Sequence, residues 1–286
     1  MKTKVAGSGT TVTIDRSDRV ILIGERINPT PNSNLAQSLS DGKMNLVRHL
    51  ANEQVDNGAD LLDLNVDSLD DRVTEILPEV VDIVTEEVDV PIVIDTNHDN
   101  VEALELALEI CPGKPVINSV SGQDESMNQI LPLVSEYQTA VIGLTLDDDG
   151  IPDNAERRLT IAENIISRAE NVGIPKEDVI IDPVSLPISV NPESGLTTLR
   201  AIELITETLG NNISLGVSNV SFEMPRRTEI NNVFLSMAIK AGLNAPIVNP
   251  STAAEPIKIA DMLVGRDEYA TRFLEFYRPN HESNAK

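Results

Sequence analysis

Acidic and amide side chains recur at the ends of short apolar runs in this sequence. Asp63 and Asn65 lie inside one such run, and Asn219 follows another. A single Asp or Asn after an apolar run has a structural explanation, because it can cap the helix that follows. Capping does not explain Asp63 and Asn65, whose i, i+2 spacing places both on one side of a strand, where a buried carboxylate needs a hydrogen-bond donor. The candidate site residues at these run ends are Glu25, Asp63, Asn65, Asp95, Asn97, Asn118, Asp182, Gly216, Ser218 and Asn219.

The residue types in this set limit the chemistry. Carboxylates could hold a hard cation, and magnesium is the main metal alternative. The amides of Asn97, Asn118 and Asn219 each offer a donor and an acceptor, which suits a flat heterocycle with N–H and C=O edges better than a cation. A carboxylate can also accept two N–H bonds from a 2-amino pyrimidinone edge, as it does from arginine. With 3 His residues and no G-x-S-x-G elbow, a histidine-rich metal site and acyl transfer through a serine are both disfavoured.

The elements between these residues must bring them together. Short β-branched runs alternate with helical patterns such as 154–169 and 197–209, which carry an apolar stripe. Nearly continuous apolar runs are typical of parallel strands buried on both faces, so the alternation predicts an α/β fold, a (β/α)8 TIM barrel. A doubly wound open sheet is the alternative, but no G-x-G-x-x-G follows any run. The predicted strands are 20–23, 61–66, 90–94, 115–117, 140–144, 179–181, 213–217 and 245–248.

No break in composition marks a linker, so we expect a single domain over residues 1–286. The alternating segment 11–14 and the polar turn 15–18 predict a hairpin within 1–19 that closes the lower end of the barrel. The polar tail 278–286 is expected to fray.

The composition argues against several classes of function. The chain carries 46 Asp and Glu against 22 Lys and Arg, a net charge of -24, so phosphate repulsion makes nucleic acid a poor partner. The acid excess fits either a high-salt environment or an ordinary solvated surface. No apolar run reaches the roughly 18 residues of a membrane span. The start of the chain has no apolar leader and the only cysteine is Cys111, which together predict a cytoplasmic protein.

Six short motifs stand in order at the predicted strand ends. They are IGERIN at 23–28, LDLNV at 62–66, IDT at 94–96, INS at 117–119, IDP at 181–183 and GVSNVS at 216–221. Together they resemble the pterin-binding methyltransferases, whose barrel is similar to that of dihydropteroate synthase. This group comprises the methyltetrahydrofolate:corrinoid protein methyltransferases, the folate domain of cobalamin-dependent methionine synthase and the methyltetrahydromethanopterin enzymes. Each motif alone is weak, and their order over 20–250 makes the resemblance specific.

The resemblance implies that a reduced pterin, tetrahydrofolate or tetrahydromethanopterin, lies in the barrel mouth as substrate. Asp95, Asn118 and Asp182 match the positions that bind the pterin ring. Asn219 matches the side chain that hydrogen-bonds N5, and Arg227 falls on the loop after strand seven. Asp182 or Asp95 is expected to hold a water that relays a proton to N5. Further pterin contacts are expected from Glu25, Asp63, Asn65, Asn97, Gly216 and Ser218.

The implied reaction moves a methyl group between N5 of the pterin and the cobalt of a corrinoid, in one-carbon metabolism. The sequence lacks the cobalamin-binding pattern D-x-H-x-x-G, so the corrinoid is expected on a partner protein, and the family implies a homodimer. One alternative is dihydropteroate synthase, which normally has Gly after Asp-Pro and basic residues after strands seven and eight. This chain has Val184, Asn219 and Asn249 at those places. The other alternative is a non-catalytic barrel subunit of a corrinoid methyltransferase complex.

Overall fold

Strands and helices alternate along the chain in this computed structural model, which describes residues 1–281 apart from the side chains of Asp70 and of residues 279–281. The strands are β1 (Lys2–Ala6), β2 (Thr11–Asp15), β3 (Ile23–Ile27), β4 (Leu61–Asn65), β5 (Ile92–Asp95), β6 (Val116–Ser121), β7 (Ala140–Leu144), β8 (Val179–Asp182), β9 (Ser214–Gly216) and β10 (Ala245–Val248). The α-helices are α1 (Ser33–Ser40), α2 (Asn45–Asp56), α3 (Val73–Glu87), α4 (Val101–Ile110), α5 (Asp124–Glu136), α6 (Ala155–Asn171), α7 (Ser194–Thr208), α8 (Arg227–Ala241), α9 (Pro250–Leu263) and α10 (Thr271–His281).

The strands β3 to β10 form one eight-stranded parallel sheet in the order β8-β7-β6-β5-β4-β3-β10-β9. A parallel bridge between Ile181 and Ile213 joins its two edges, and the N–H of Ile181 donates to the carbonyl of Asn212 at 2.9 Å. The sheet is therefore a nearly closed barrel. The predicted (β/α)8 TIM barrel is confirmed.

Helices cover the barrel with apolar stripes, as α3 shows. In α3 the buried residues Val73, Ile76, Leu77, Val80 and Val84 recur at helical spacing and belong to the core between strands and helices. Burial of each such side chain stabilises the fold by roughly 1.5–3 kcal/mol. This outer core fixes the strand ends, and with them the residues that face the barrel mouth.

The first barrel strand begins later than the sequence predicted. The apolar run at 20–23 was expected to be the strand, but β3 starts at Ile23 and continues through the polar residues up to Ile27. The N–H groups of Val20 and Leu22 donate to the carboxylates of Asp261 and Asp60, each at 2.9 Å. Because these two N–H groups bond to side chains, regular strand pairing starts only at Ile23.

The predicted amino-terminal hairpin is confirmed, and it closes the lower end of the barrel. Strands β1 and β2 pair antiparallel, and their side chains Val5, Val12 and Ile14 form one apolar cluster with the inward-facing residues of the barrel strands. Residues 7–10 connect the two strands, whereas the predicted turn 15–18 leads from the hairpin into the barrel.

Part of the carboxyl-terminal tail belongs to the last helix, α10. Residues 278–281 of the segment expected to fray continue α10, and the remainder, 282–286, lies outside the described residues. Within the described part of the chain, no helix combines the length and apolar character that crossing a membrane needs.

Candidate functional site

The carboxyl-terminal ends of the barrel strands enclose a cavity of about 1110 Å³. A volume of this order accommodates a ligand the size of a cofactor. Every barrel strand contributes at least one lining residue. All of the site residues predicted from the sequence line this cavity, namely Glu25, Asp63, Asn65, Asp95, Asn97, Asn118, Asp182, Gly216, Ser218, Asn219 and Arg227.

Three neighbouring strands present a layer of acid and amide groups to the cavity. Asn65, Asp95 and Asn118 are partners in register on β4, β5 and β6. Neighbouring strands lie about 4.8 Å apart, so these side chains are adjacent. The amide of Asn118 donates to Oδ1 of Asp63 at 3.1 Å, and the amide of Asn65 hydrogen-bonds to Asp95. The predicted donor partner of the buried carboxyl Asp63 is therefore Asn118.

The buried carboxyl of Asp63 and the half-buried carboxyl of Asp95 form a pair that shares a hydrogen bond. Burial raises the pKa of Asp63 well above its usual value, and the neighbouring charge of Asp95 raises it further. Burial also raises the pKa of Asp95 to about 7, although the Asn65 hydrogen bond opposes this shift. Two close carboxyls do not both ionise readily, so the pair favours a state that holds one proton between them. In that state the pair can both donate to and accept from one ligand.

Asp182 ends β8 and is 7 % exposed. Burial raises its pKa to about 6, against hydrogen bonds from the backbone N–H groups of Val184 and Gly216. The Val184 N–H donates to Oδ1 of Asp182 at 2.7 Å. At pH 7 and above the ionised form of Asp182 therefore predominates, and this carboxylate can accept N–H bonds from a ligand.

Asn219 lies on a 3₁₀ turn, 217–221, that directly follows β9. Its side chain is exposed at the mouth of the cavity, and within the described residues its amide has no hydrogen-bond partner. Gly216 leaves the space for it, because a Cβ at position 216 would lie 3.1 Å from Nδ2 of Asn219. The amide is thus available to a ligand in the cavity.

Glu25 and Arg227 hold this turn from two sides. The Ser218 hydroxyl donates to Oε2 of Glu25 at 3.1 Å. The Arg227 guanidinium donates to the Ser218 carbonyl at 2.9 Å and to the Ser221 hydroxyl at 3.1 Å. Burial raises the pKa of Glu25, and the Ser218 hydrogen bond opposes that shift. Both residues line the cavity and also fix the backbone that carries Asn219, a second role that the sequence did not indicate.

Asn97 lies at the outer edge of the site. Its side chain is exposed, while its backbone N–H donates to Asp67 at 3.0 Å. Asp67 also accepts from the Thr96 hydroxyl at 2.6 Å and from the Asn100 amide at 3.1 Å. This cluster orders the loop after β5, so Asn97 is held at the rim by its backbone.

The structure adds lining residues that sequence reasoning missed. Thr228, Asn231 and Asn232 reach the cavity from α8, and Ser185 reaches it from the loop after β8. Buried oxygen atoms of Asn231 and Ser185 have no hydrogen-bond partner within the described residues. The i, i+3, i+4 spacing of polar residues on α8 is a signal that could have found the first three.

A magnesium site in the cavity would need several oxygen ligands grouped around one point. In the described part of the chain, no group of three or more His, Cys, Asp and Glu side chains is placed to hold a metal ion. Asp63 is instead bonded to an amide, and Asp182 to backbone N–H groups.

Comparison with known families gives one match over most of the chain. The family described as pterin binding enzyme matches residues 24–249. This span contains every residue discussed above as lining the cavity.

Two curated relatives and one solved structure are similar to the chain. Methionine synthase of Mycobacterium tuberculosis (strain ATCC 25618 / H37Rv) is 30% identical over 245 residues, which cover 81% of the chain and 20% of that protein. The chain thus spans about a fifth of the length of that relative. Methylcorrinoid:tetrahydrofolate methyltransferase of Eubacterium limosum is 26% identical over 264 residues, covering 91% of the chain and 96% of that protein. The crystal structure of dihydropteroate synthase from Thermus thermophilus has a TM-score of 0.71 at 23% identity, covering 91% and 100% of the two chains, which shows a shared fold.

Proposed function

Because the chain belongs to the family of pterin binding enzymes, we propose that it moves a methyl group between N5 of a reduced pterin and the cobalt of a corrinoid protein. The relative of similar length is named methylcorrinoid:tetrahydrofolate methyltransferase, and this supports tetrahydrofolate as the pterin. The observation that carries the proposal is the convergence of Asp95, Asn118, Asp182 and Asn219 on one cavity.

The acid and amide layer fits the polar edge of a pterin. Ionised Asp182 accepts N–H bonds from the 2-amino pyrimidinone edge, and the amide of Asn118 offers a donor and an acceptor beside it. The raised pKa values of Asp63 and Asp95 favour a pair that holds one proton, and such a pair can donate to a ring acceptor as well as accept from a ring N–H. The cavity thereby matches the mixed edge of the heterocycle.

Asn219 acts at N5 in this proposal. A reduced corrinoid on a partner protein supplies a cobalt nucleophile strong enough to attack the methyl group in line. A tertiary amine is a poor leaving group, so N5 must gain positive character as its bond to the methyl group breaks. The Asn219 amide donates a hydrogen bond to N5 that strengthens in the transition state. An amide is not an acid, so the proton reaches N5 through a water held by Asp95 or Asp182.

The direct test is a single-turnover reaction of the protein with 5-methyltetrahydrofolate and cob(I)alamin, followed by loss of the Co(I) absorption band. We expect Asn219→Ala to slow the reaction about tenfold or more, because it removes a transition-state hydrogen bond. Asn171→Ala is the matched control, since Asn171 is an exposed amide at the end of α6, away from the cavity. A rate within about threefold of the parent protein, under 1 kcal/mol, would exclude this role for Asn219.

The two alternatives give different results in the same set of assays. The likeness to dihydropteroate synthase concerns the fold, and a synthase would condense a pterin pyrophosphate with p-aminobenzoate. A non-catalytic subunit would bind the pterin without transferring its methyl group to free or protein-bound cobalamin. Replacing the substrate with the tetrahydromethanopterin form tests which pterin the site takes.

The proposed partners are a corrinoid protein that docks over the mouth and a second copy of the chain. A net charge of -24 favours a corrinoid partner with a basic rim. Sedimentation of the protein alone, and then with a corrinoid protein, measures both associations.

A further inference from the structure

Arg158 on α6 is a buried cation outside the cavity lining. It is 1 % exposed, and its hydrogen bonds go to uncharged acceptors. Burying a guanidinium without an anionic partner is costly, so its hydrogen bonds must compensate. Those bonds go to three backbone carbonyls and, at 3.2 Å, to the Thr198 hydroxyl, and two of the carbonyls belong to one segment of the chain.

The segment that Arg158 holds directly follows Asp182. Nη1 of Arg158 donates to the carbonyls of Pro183 and Val184, each at 2.8 Å. Nε donates to the carbonyl of Pro152 at 2.9 Å. The buried hydroxyl of Thr198 on α7 also donates to the Val184 carbonyl, at 3.0 Å. Two helices therefore fix the first two residues of the loop after β8.

Val184 adopts a conformation that this clamp must maintain. Its φ is 62°, in the left-handed region that a β-branched residue rarely enters because of steric strain. In this conformation its N–H points to Asp182 and donates to Oδ1 at 2.7 Å. The Pro183 carbonyl that Arg158 binds and the Val184 N–H belong to one peptide plane. Released from the clamp, this plane would rotate as φ of Val184 relaxes toward negative values, and the N–H would turn away from Asp182.

We propose that Arg158 is a positioning residue for Asp182. It holds Val184 in the left-handed conformation, and the Val184 N–H in turn orients the carboxylate toward the cavity. The inference rests on the proposed function only in naming a pterin as the group that Asp182 binds.

The clamp also affects the acidity of Asp182. Burial raises the pKa of Asp182, while the Val184 and Gly216 N–H bonds and the positive charge of Arg158 lower it. Arg158 is itself faced by Asp153 in addition to Asp182. Losing the Val184 bond would therefore raise the pKa of Asp182 further.

A double-mutant cycle separates positioning from general packing. We expect Arg158→Met to weaken binding of 5-methyltetrahydrofolate about tenfold, measured by calorimetry at neutral pH. In a Val184→Gly background we expect the same substitution to cost about threefold or less, because glycine adopts positive φ without strain. An equal loss in both backgrounds would overturn the proposal.

Two further measurements keep the test decisive. Thermal unfolding reports whether each variant folds, and Arg158→Lys replaces Arg158→Met in the same two backgrounds if the latter does not. Carbon NMR of the carboxyl of Asp182, without pterin, should show a raised pKa in Arg158→Lys and a smaller rise when Val184→Gly is present. An unchanged pKa contradicts the positioning role. Failure of the parent protein to bind methyltetrahydrofolate counts against the proposed function instead, since the NMR measurement needs no ligand.

Discussion

The two ends of the barrel differ in the partners of their polar side chains. At the amino-terminal end, the Asn212 amide donates to the Thr3 hydroxyl at 2.8 Å and to the Ile14 carbonyl at 2.9 Å. The Asn244 amide donates to Asn212 at 2.9 Å, and its oxygen accepts from the N–H of Ile213 at 2.8 Å. These groups satisfy one another. At the carboxyl-terminal end, the acid and amide groups face a cavity.

Two acids near β4 show the same contrast within a few residues. Asp60, just before the strand, accepts two hydrogen bonds from Arg19, at 2.7 and 2.6 Å. Asp63, inside the strand, meets the amide of Asn118 and the second acid Asp95. A buried acid without a cation lowers stability unless a ligand completes its interactions. The upper end thus gives up stability to hold a site, and the lower end supplies stability.

The largest expected difference concerns ligand affinity. Asp182→Asn should weaken binding of 5-methyltetrahydrofolate about 1000-fold, because the amide cannot accept two N–H bonds and presents an N–H of its own to the pterin. Asp60→Asn should leave the affinity within about twofold and lower stability by roughly 2 kcal/mol. Calorimetric titration measures the pterin affinity of each variant, and chemical denaturation measures its free energy of unfolding. Equal pterin affinities for the two variants would contradict the assignment of ligand binding to the carboxyl-terminal end of the barrel.

The second difference concerns pH. The pKa of Asp182 is raised from 3.8 to about 6, so the folded state binds its proton more tightly than the unfolded state does. Stability from this group is therefore full below pH 4 and is lost as the pH rises to about 6. Relative to Asp182→Asn, the parent protein should lose on the order of 3 kcal/mol between about pH 4 and pH 7.

Chemical denaturation of both proteins at several pH values measures this difference. Comparing the two proteins removes the effect of the general acid excess, which they share. A constant difference across this pH range would mean that Asp182 is not destabilised by burial.

The smallest effect is expected at the lower end. Asn244→Ala leaves the N–H of Ile213 and the oxygen of Asn212 without partners, which should cost about 2 kcal/mol of unfolding free energy. Pterin affinity should not change, because Asn212, Ile213 and Asn244 do not line the cavity. A loss of affinity comparable to the loss of stability would show that the two ends are coupled.

The sequence predicted the barrel and the site for one physical reason. Parallel strands buried on both faces leave short, nearly continuous apolar runs, so the polar residues that interrupt them, such as Asp63 and Asn65, stand out. The same rule misplaced β3, because the run 20–23 is apolar but the N–H groups of Val20 and Leu22 bond to the side chains of Asp261 and Asp60.

The burial of Arg158 could not be predicted from the sequence. On an amphipathic helix an arginine is expected in solvent, since charged side chains are almost never fully buried. Its burial depends on carbonyls of the loops at 152 and 183–184, and the pattern of apolar residues does not reveal these hydrogen bonds. The double role of Glu25 and Arg227 was hidden for the same reason, because tertiary hydrogen bonds leave no periodic signal.

A crystal structure of the protein with 5-methyltetrahydrofolate would show directly whether the cavity holds the pterin as proposed. We expect the pterin ring in the cavity, its pyrimidinone edge on Asp95, Asn118 and Asp182, and N5 within about 3 Å of the Asn219 amide. A pterin bound elsewhere, or one whose N5 points away from Asn219, would contradict it.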